Sequence, residues 1–293
     1  SGTGNWFYRE YSKAEIGGNN FVAIKLPWHI HPERNQAWRD EQERILGKRD
    51  AATECDCDFS TSGATVLEPE TIKWYETQIE VPVEKRYLDR NYWLWEYPNY
   101  EKTYAIIVDV ARGDGKDFSS IQVMDVEEAK QVAEYVGQPG TRELGFLACS
   151  IATDWNMGLL IIENTGIGWD VVQTAVTSMY PNLYYSPKSD ITATNIETYM
   201  NRFDRGDGMV PGFSTSTKSR PLVISKFVSY FLDRSCIIKS KRLHEQTRTF
   251  IWKNGKAQAS EGFNDDLIMP WGIGLFLRDT ALRFQQTGMD LAR

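Results

Sequence analysis

Two runs of apolar, mostly β-branched residues, each closed by a carboxylate, constrain this chain more than any other feature. The run 104–108 ends in Asp109, and the run 159–162 ends in Glu163. Runs of this length and composition are typical of strands that are buried on both faces of a sheet. An acid that closes such a strand lies at the rim of the sheet, where its charge is incompletely desolvated. The sequence therefore predicts two carboxylates at strand ends.

The order of elements around these runs predicts how the strands are arranged. The pattern indicates strands at 104–110, 118–126, 130–136 and 158–163, and helices at 143–155 and 169–180. This β-β-β-α-β-α order is that of the ribonuclease H fold, in which the first and fourth strands lie side by side. Parallel pairing of those two strands would bring Asp109 and Glu163 together. The fold class predicted is α/β, a ribonuclease H-like mixed sheet flanked by helices, with an N-terminal appendage.

A third acid comes from the pair Asp265-Asp266, which opens a late apolar segment. If a helix runs from there to Leu277 at about 100° per residue, Asp266 lies above the apolar stripe that packs on the sheet. Asp265 then lies on the solvated side. These helical angles are approximate, because the ring of Pro270 clashes with the carbonyl of Asp266. Pro270 can therefore start or kink the helix at this point. The pattern favours Asp266 over Asp265 as the third ligand.

Three carboxylates in this order favour a site for divalent cations. Two such ions roughly 3.5 to 4 Å apart would activate a water and stabilise the departing oxygen of a phosphodiester. The strands at 104–110 and 118–126 are expected to form a hairpin, which returns Asp117 toward Asp109. Asp117 could bind a metal there through water, although a role in capping the turn accounts for this residue equally well. A single acid at a strand end is more often a helix cap or a salt-bridge partner. It is the combination that indicates a metal-dependent nuclease.

The net charge of -7 hides an asymmetry along the chain. From residue 186 to residue 256 there are 13 Lys and Arg against 6 Asp and Glu, so this basic segment carries +7 and the remainder -14. A basic segment beside an acidic metal site suits a polyanionic substrate, although a solvated charged surface is the plainer explanation. The candidates for contacts with the DNA backbone are Lys188, Arg202, Arg205, Lys218, Arg220 and Lys226.

Several other chemistries are disfavoured by the sequence. No Gly-x-x-x-x-Gly-Lys-Ser/Thr phosphate loop is present, which predicts that this chain does not hydrolyse ATP by itself. His29 and His31 are expected to be surface residues, and His244 lies in a basic helical patch far from any nucleophile motif. The four cysteines have neither zinc-site spacing nor disulfide density, so reduced thiols are expected. No stretch is long and apolar enough to predict a membrane span.

At the level of motifs, the chain resembles the large terminase subunit of tailed bacteriophages, especially the contractile-tailed group. Val108–Asp117 resembles the first nuclease motif of that family, Ile162–Gly166 the second and Gly262–Met269 the third. Ser1–Tyr8 resembles the coupling motif at the end of the packaging ATPase domain, and Thr61–Ala64 the segment that leads into the nuclease. Asn264 departs from the pattern, because relatives often carry His there. If that His assists metal binding or proton transfer, the assistance is missing in this chain.

The resemblance implies a domain organisation and a set of partners. Residues 1–68 would be the tail end of an ATPase domain with a linker, and residues 69–293 the ribonuclease H-like nuclease domain. The chain would then be the C-terminal part of a longer protein that pumps viral DNA through a portal protein. The implied partners are double-stranded DNA, the portal and the small terminase subunit, in the cytoplasm of the host cell during viral assembly.

The function predicted from the residues and the resemblance together is a metal-dependent endonuclease that cuts concatemeric double-stranded DNA. In that mechanism Asp109 bridges two Mg²⁺ or Mn²⁺ ions, while Glu163 and Asp266 hold one each. Two alternatives stay open at this point. One is a Holliday-junction resolvase or transposase-like nuclease of the same fold. The fold alone does not distinguish this alternative from the predicted endonuclease. The other is a non-catalytic module that docks on DNA or on the portal.

Overall fold

A computed structural model describes residues 6–15, 19–57, 65–87, 89–111, 118–187, 208–253 and 255–278. These residues fall into two compact units. The first comprises the described residues up to Glu76 together with His244–Asp265. The second comprises Thr77–Leu243 and the described residues from Asp266 onwards.

The first unit is mainly helical. Asn35 precedes its second helix, and its side-chain oxygen accepts a hydrogen bond from the backbone N–H of Trp38 at 3.0 Å, as a helix N-cap does. The elements are α1 (Trp6–Glu15), a 3₁₀ turn (Trp28–Ile30), α2 (Gln36–Leu46), α3 (Lys48–Cys55) and α4 (Pro69–Glu76), followed late in the chain by the hairpin β9 (Phe250–Lys253) and β10 (Lys256–Ala259). The helix α8 (Lys241–Thr249) precedes this hairpin.

The second unit is built on a six-stranded mixed sheet. Its strands are β1 (Glu84–Arg86), β2 (Tyr92–Leu94), β3 (Tyr104–Asp109), β4 (Ser119–Asp125), β5 (Lys130–Gly137) and β6 (Leu159–Ile162). They lie in the order β1-β2-β5-β4-β3-β6, and β3 and β6 are parallel neighbours. The remaining elements are α5 (Thr141–Asp154), α6 (Gly168–Thr177), the pair β7 (Tyr185–Pro187) and β8 (Met209–Pro211), α7 (Ser219–Leu232) and α9 (268–278).

One face of this sheet packs on α5 and α6. Ile106 and Val108 of β3 share a continuous apolar cluster with Leu160 and Ile162 of β6. The helices contribute Leu144, Ala148, Ile151, Val171, Val172 and Ala175 to the same cluster. Because successive side chains of a strand alternate between the two faces, Ile107 and Asp109 point the other way.

The opposite face packs on α9. A Cβ atom added at Gly274 would lie 2.9 Å from the ends of both Ile107 and Met124, so the glycine lets the helix approach the sheet closely. On another side of α9, a Cβ atom at Gly272 would lie 3.0 Å from Val223 of α7. These contacts hold α9 between the sheet and α7.

The predicted fold class is confirmed, including the parallel pairing of the first and fourth predicted strands. Two predicted details are wrong. The apolar residues Cys236–Ile238 predict a short strand, but the structure has an isolated bridge between Ile237 and Lys130 there. The late helix begins at residue 268, two residues after Asp266, so angles on a helical wheel do not determine where Asp266 lies.

Candidate metal centre

Asp109 and Glu163 close neighbouring parallel strands on the same face of the sheet. Val108 pairs with Ile162, and the N–H of Glu163 donates to the carbonyl of Val108 at 3.0 Å, so the ladder extends to both acids. Since Ile107 pairs with Ile161, the residues two positions later, Asp109 and Glu163, point to the face that packs on α9. Both acids are partly exposed.

Asp266 lies on the other side of Asp109, against the start of β4. Asp109 pairs directly with Ser120 across the β3–β4 ladder. The Ser120 hydroxyl donates to the backbone carbonyl of Asp266 at 2.6 Å, and the N–H of Phe118 donates to Oδ2 of Asp266 at 3.2 Å. Asp266 is therefore fixed by a strand that neighbours Asp109, which the sequence alone did not indicate.

The end of β6 around Glu163 is held by a segment that follows β8. Phe213 bridges to Glu163 in parallel, its N–H donating to Ile162 and its carbonyl accepting from Asn164. The buried Asn164 side chain donates to the carbonyl of Pro211 at 2.9 Å and accepts from the Ser214 hydroxyl at 2.6 Å. These bonds fix both sides of the peptide that carries Glu163.

Two glycines beside Glu163 permit this close packing. Gly212 has φ +90°, and a Cβ atom there would lie 2.7 Å from the carbonyl oxygen of Ile162. At Gly168, the first residue of α6, a Cβ atom would lie 2.0 Å from the carbonyl oxygen of Glu163. Gly168 thus serves packing within the chain at a helix start.

The three acids supply only oxygen donors, which are the ligands that Mg²⁺ and Mn²⁺ prefer. Within the described ranges, however, no three His, Cys, Asp or Glu side chains are grouped tightly enough to hold a metal ion as they stand. Strand register fixes backbone positions, whereas carboxylates at a partly exposed rim can change rotamer. The strand register therefore indicates which acids can approach one another better than their side-chain rotamers do. Asp265, also partly exposed, is the last residue of the first compact unit.

Three of the six basic candidates can be located. Lys218 is exposed and immediately precedes α7, and Arg220 lies in its first turn. Lys226 lies one and a half turns further on, with Nζ 5.4 Å from the ring centroid of Tyr230. Lys188, Arg202 and Arg205 fall outside the described residues, as do Asp117 and the rest of the turn after Ala111.

The histidines and cysteines lie apart from this chemistry. His29 and His31 are exposed, as predicted. His244 is instead a buried residue whose Nε2 lies 3.0 Å from the carbonyl oxygen of Ile72, and burial lowers its pKa. All four cysteines, each within the described part of the chain, are free thiols. None of the described helices is long and apolar enough to cross a membrane.

The fold is of the ribonuclease H-like α/β class. Comparison with solved structures finds particular proteins of similar fold. The large terminase nuclease of the thermophilic phage G20c superposes with a TM-score of 0.50 at 12% identity, covering 69% of this chain and 95% of that one. A structure of the same nuclease with bound magnesium gives 0.49 at 12% identity, over 70% and 95% of the two chains. The nuclease domain of the large terminase of Thermus phage P74-26 gives 0.48 at 14% identity, over 71% and 93%.

Searches with the sequence match no protein-family description and no curated protein. At such low identity the structural likeness shows the fold, which is that of large terminase nucleases. The predicted resemblance to large terminase nucleases is confirmed at the level of the fold.

Proposed function

We propose that this chain is a metal-dependent endonuclease that cuts double-stranded DNA during viral genome packaging. The observation that supports this most directly is the parallel register of β3 and β6, which leaves Asp109 and Glu163 on one face at adjacent strand ends. Hydrogen bonds from Phe118, just before β4, and from Ser120 in β4 hold a third carboxylate, Asp266, against the strand that pairs with Asp109. The shared fold with a large terminase nuclease supports the same class.

In this proposal the three acids divide the work of holding divalent cations. Asp109 would contribute to holding both ions, and Glu163 and Asp266 would each hold one. When bound, two Mg²⁺ or Mn²⁺ ions would activate a water and stabilise the departing oxygen of a phosphodiester. The chain itself fixes the acids at the sheet rim through the strand ladders and the Asn164 side chain. Partial exposure leaves the rim open to a phosphodiester.

The substrate proposal is DNA held mainly by its phosphates. Phe213, which pairs with Glu163, leads within a few residues to Lys218 and Arg220 at the start of α7. Lysine and arginine beside an acidic rim can bind the backbone on either side of the cut without reading sequence. The portal protein and the small terminase subunit remain proposed partners that rest on the motif resemblance.

The test is nicking of supercoiled plasmid by the purified chain. Cleavage is expected in Mg²⁺ or Mn²⁺ and none is expected in a chelator. A parallel assay compares linear duplex with a four-way junction, since preference for the junction would favour a resolvase. Binding of DNA without cleavage in either metal would favour a docking module and overturn the proposal. ATP turnover is not expected from this chain.

A further inference from the structure

Ser120 contacts one proposed metal ligand and neighbours another. It is fully buried near the start of β4, directly opposite Asp109, and alternation places both on the face that packs on α9. Side chains paired in this way across an antiparallel ladder have Cβ atoms about 5 Å apart. The Ser120 hydroxyl also donates to the carbonyl of Asp266 at 2.6 Å. One side chain thus connects the positions of two acids.

Pro270 bears on which groups can donate to the carbonyl of Asp266, which lies two residues before the start of α9. In an α-helix each carbonyl accepts from the N–H four residues later. Four residues after Asp266 stands Pro270, which has no N–H. The next carbonyl, that of Leu267, accepts from Trp271 at 3.4 Å in the helical pattern. Pro270 therefore cannot donate to this carbonyl, whereas the Ser120 hydroxyl donates to it at 2.6 Å.

The position of Asp266 can be separated from the docking of α9. The helix is held to the sheet by close packing of Gly274 against Ile107 and Met124, two turns further along. Asp266 itself precedes the helix and is partly exposed. Removal of the hydroxyl should then loosen Asp266 while the helix stays in place.

We propose that Ser120 is a positioning residue of the metal centre, which holds Asp266 beside Asp109 and thereby sets the affinity for divalent metal. This inference rests on the proposed function. It predicts a defect in metal binding that sufficient metal overcomes, rather than a loss of the chemical step. A structural serine would affect unfolding without changing the metal dependence of the folded protein.

The experiment compares Ser120→Ala and Ser120→Thr with Ser240→Ala in the full chain. Ser240 is a matched control, because it is fully buried in the same unit and its hydroxyl donates to Glu134 at 2.8 Å. Mn²⁺ binding is measured by titration calorimetry, and plasmid nicking is followed as Mn²⁺ is raised. Ser120→Ala is expected to weaken Mn²⁺ binding about 10-fold and to regain cleavage at high Mn²⁺. Ser120→Thr, which keeps the hydroxyl, and Ser240→Ala should bind Mn²⁺ as the unchanged chain does.

The outcomes that would overturn the inference can be told apart. If Ser120→Ala binds Mn²⁺ as Ser240→Ala does, Ser120 has no positioning role. If Ser120→Thr is as weak as Ser120→Ala, the volume of the side chain matters rather than its hydroxyl. If Ser120→Ala does not fold, Ser120→Cys, a weak donor of similar size, is judged by the same measurements. If the unchanged chain neither binds Mn²⁺ nor nicks DNA, the proposed function itself fails.

Discussion

The adjacent acids Asp265 and Asp266 are expected to differ in their importance for cleavage. The carboxylate of Asp266 accepts from Phe118, just before β4, and its carbonyl accepts from Ser120 in β4, whereas Asp265 is the last residue of the first compact unit. Asp266→Asn is therefore expected to lower plasmid cleavage by at least about 100-fold and to remove thermal stabilisation by Mn²⁺. Asp265→Asn should leave partial activity. The reverse ranking, measured in the same nicking and melting assays, would move the third ligand to Asp265.

His244 gives a prediction about stability that is independent of the metal centre. Burial disfavours its charged form, so its pKa in the folded chain is lowered from the usual 6.5. The unfolded chain then binds the proton more readily, and the stability contributed by neutral His244 is complete above pH 6.5 and is lost as pH falls below it toward the folded pKa.

Urea unfolding at pH 7.5 and pH 5.5 measures this effect. His244→Gln keeps an N–H that can donate to the carbonyl of Ile72 but does not titrate, so its midpoint should fall less on acidification than that of the unchanged chain. His29→Gln, at an exposed position, is the control. Equal acid sensitivity of the unchanged chain and His244→Gln would show that His244 does not carry the effect.

At the scale of elements, Gly274 determines how closely α9 approaches the sheet. Gly274→Val places atoms where the ends of Ile107 and Met124 lie, so the helix that follows Asp266 must move. Unfolding free energy is expected to drop by about 1–3 kcal/mol, and Mn²⁺ affinity should fall with it.

Gly145→Val provides the matched control for this change. A Cβ atom at Gly145 would lie 2.6 Å from the side chain of Thr174, in the α5–α6 contact on the opposite face of the sheet. This variant should lose stability while Mn²⁺ affinity of the folded protein stays unchanged. Equal Mn²⁺ affinity in the two folded variants would show that α9 does not set the position of Asp266.

The strands with long apolar runs could be predicted from the sequence, and the short ones could not. Strands β3 to β6 have four to eight residues each and are buried along most of their length, and their apolar residues are numerous enough to indicate a strand. The edge strand β1 has three residues, all charged, and is defined by its pairing with β2. Such an element depends on tertiary context, which no local pattern contains.

The metal centre could be predicted from the sequence only where strand patterns define it. Asp109 and Glu163 follow from strand ends and topology, because parallel neighbours bring their C-terminal ends to one edge. The place of Asp266 depends on a bond from Ser120, 146 positions away in the sequence, and not on the helical angles that favoured it. The polar links of Asn164 to Pro211 and Ser214 are likewise long-range and have no local signature.

Across the whole molecule, the segregation of charge gives a prediction about DNA binding. The basic segment from residue 186 to residue 256 carries +7 in a chain whose net charge is -7. Binding should weaken steeply with salt, since each neutralised phosphate adds about 0.9 to the slope of log affinity against log salt. Charge reversal at Lys218 and Arg220 together should reduce that slope and lower affinity similarly for unrelated sequences. Salt-independent binding by filter or anisotropy assay would locate the contact elsewhere.

Metal-dependent cleavage by the acids at the sheet rim is the central claim, and Asp109→Asn tests it most directly. The substitution hardly changes volume and removes the charge between Glu163 and Asp266, so the chain should fold and melt as before. Plasmid nicking in Mg²⁺ by this variant and the unchanged chain is compared at equal concentration. The expected result is cleavage by the unchanged chain and a loss of at least about 100-fold in the variant. Full cleavage of the plasmid by Asp109→Asn in Mg²⁺ would contradict the mechanism.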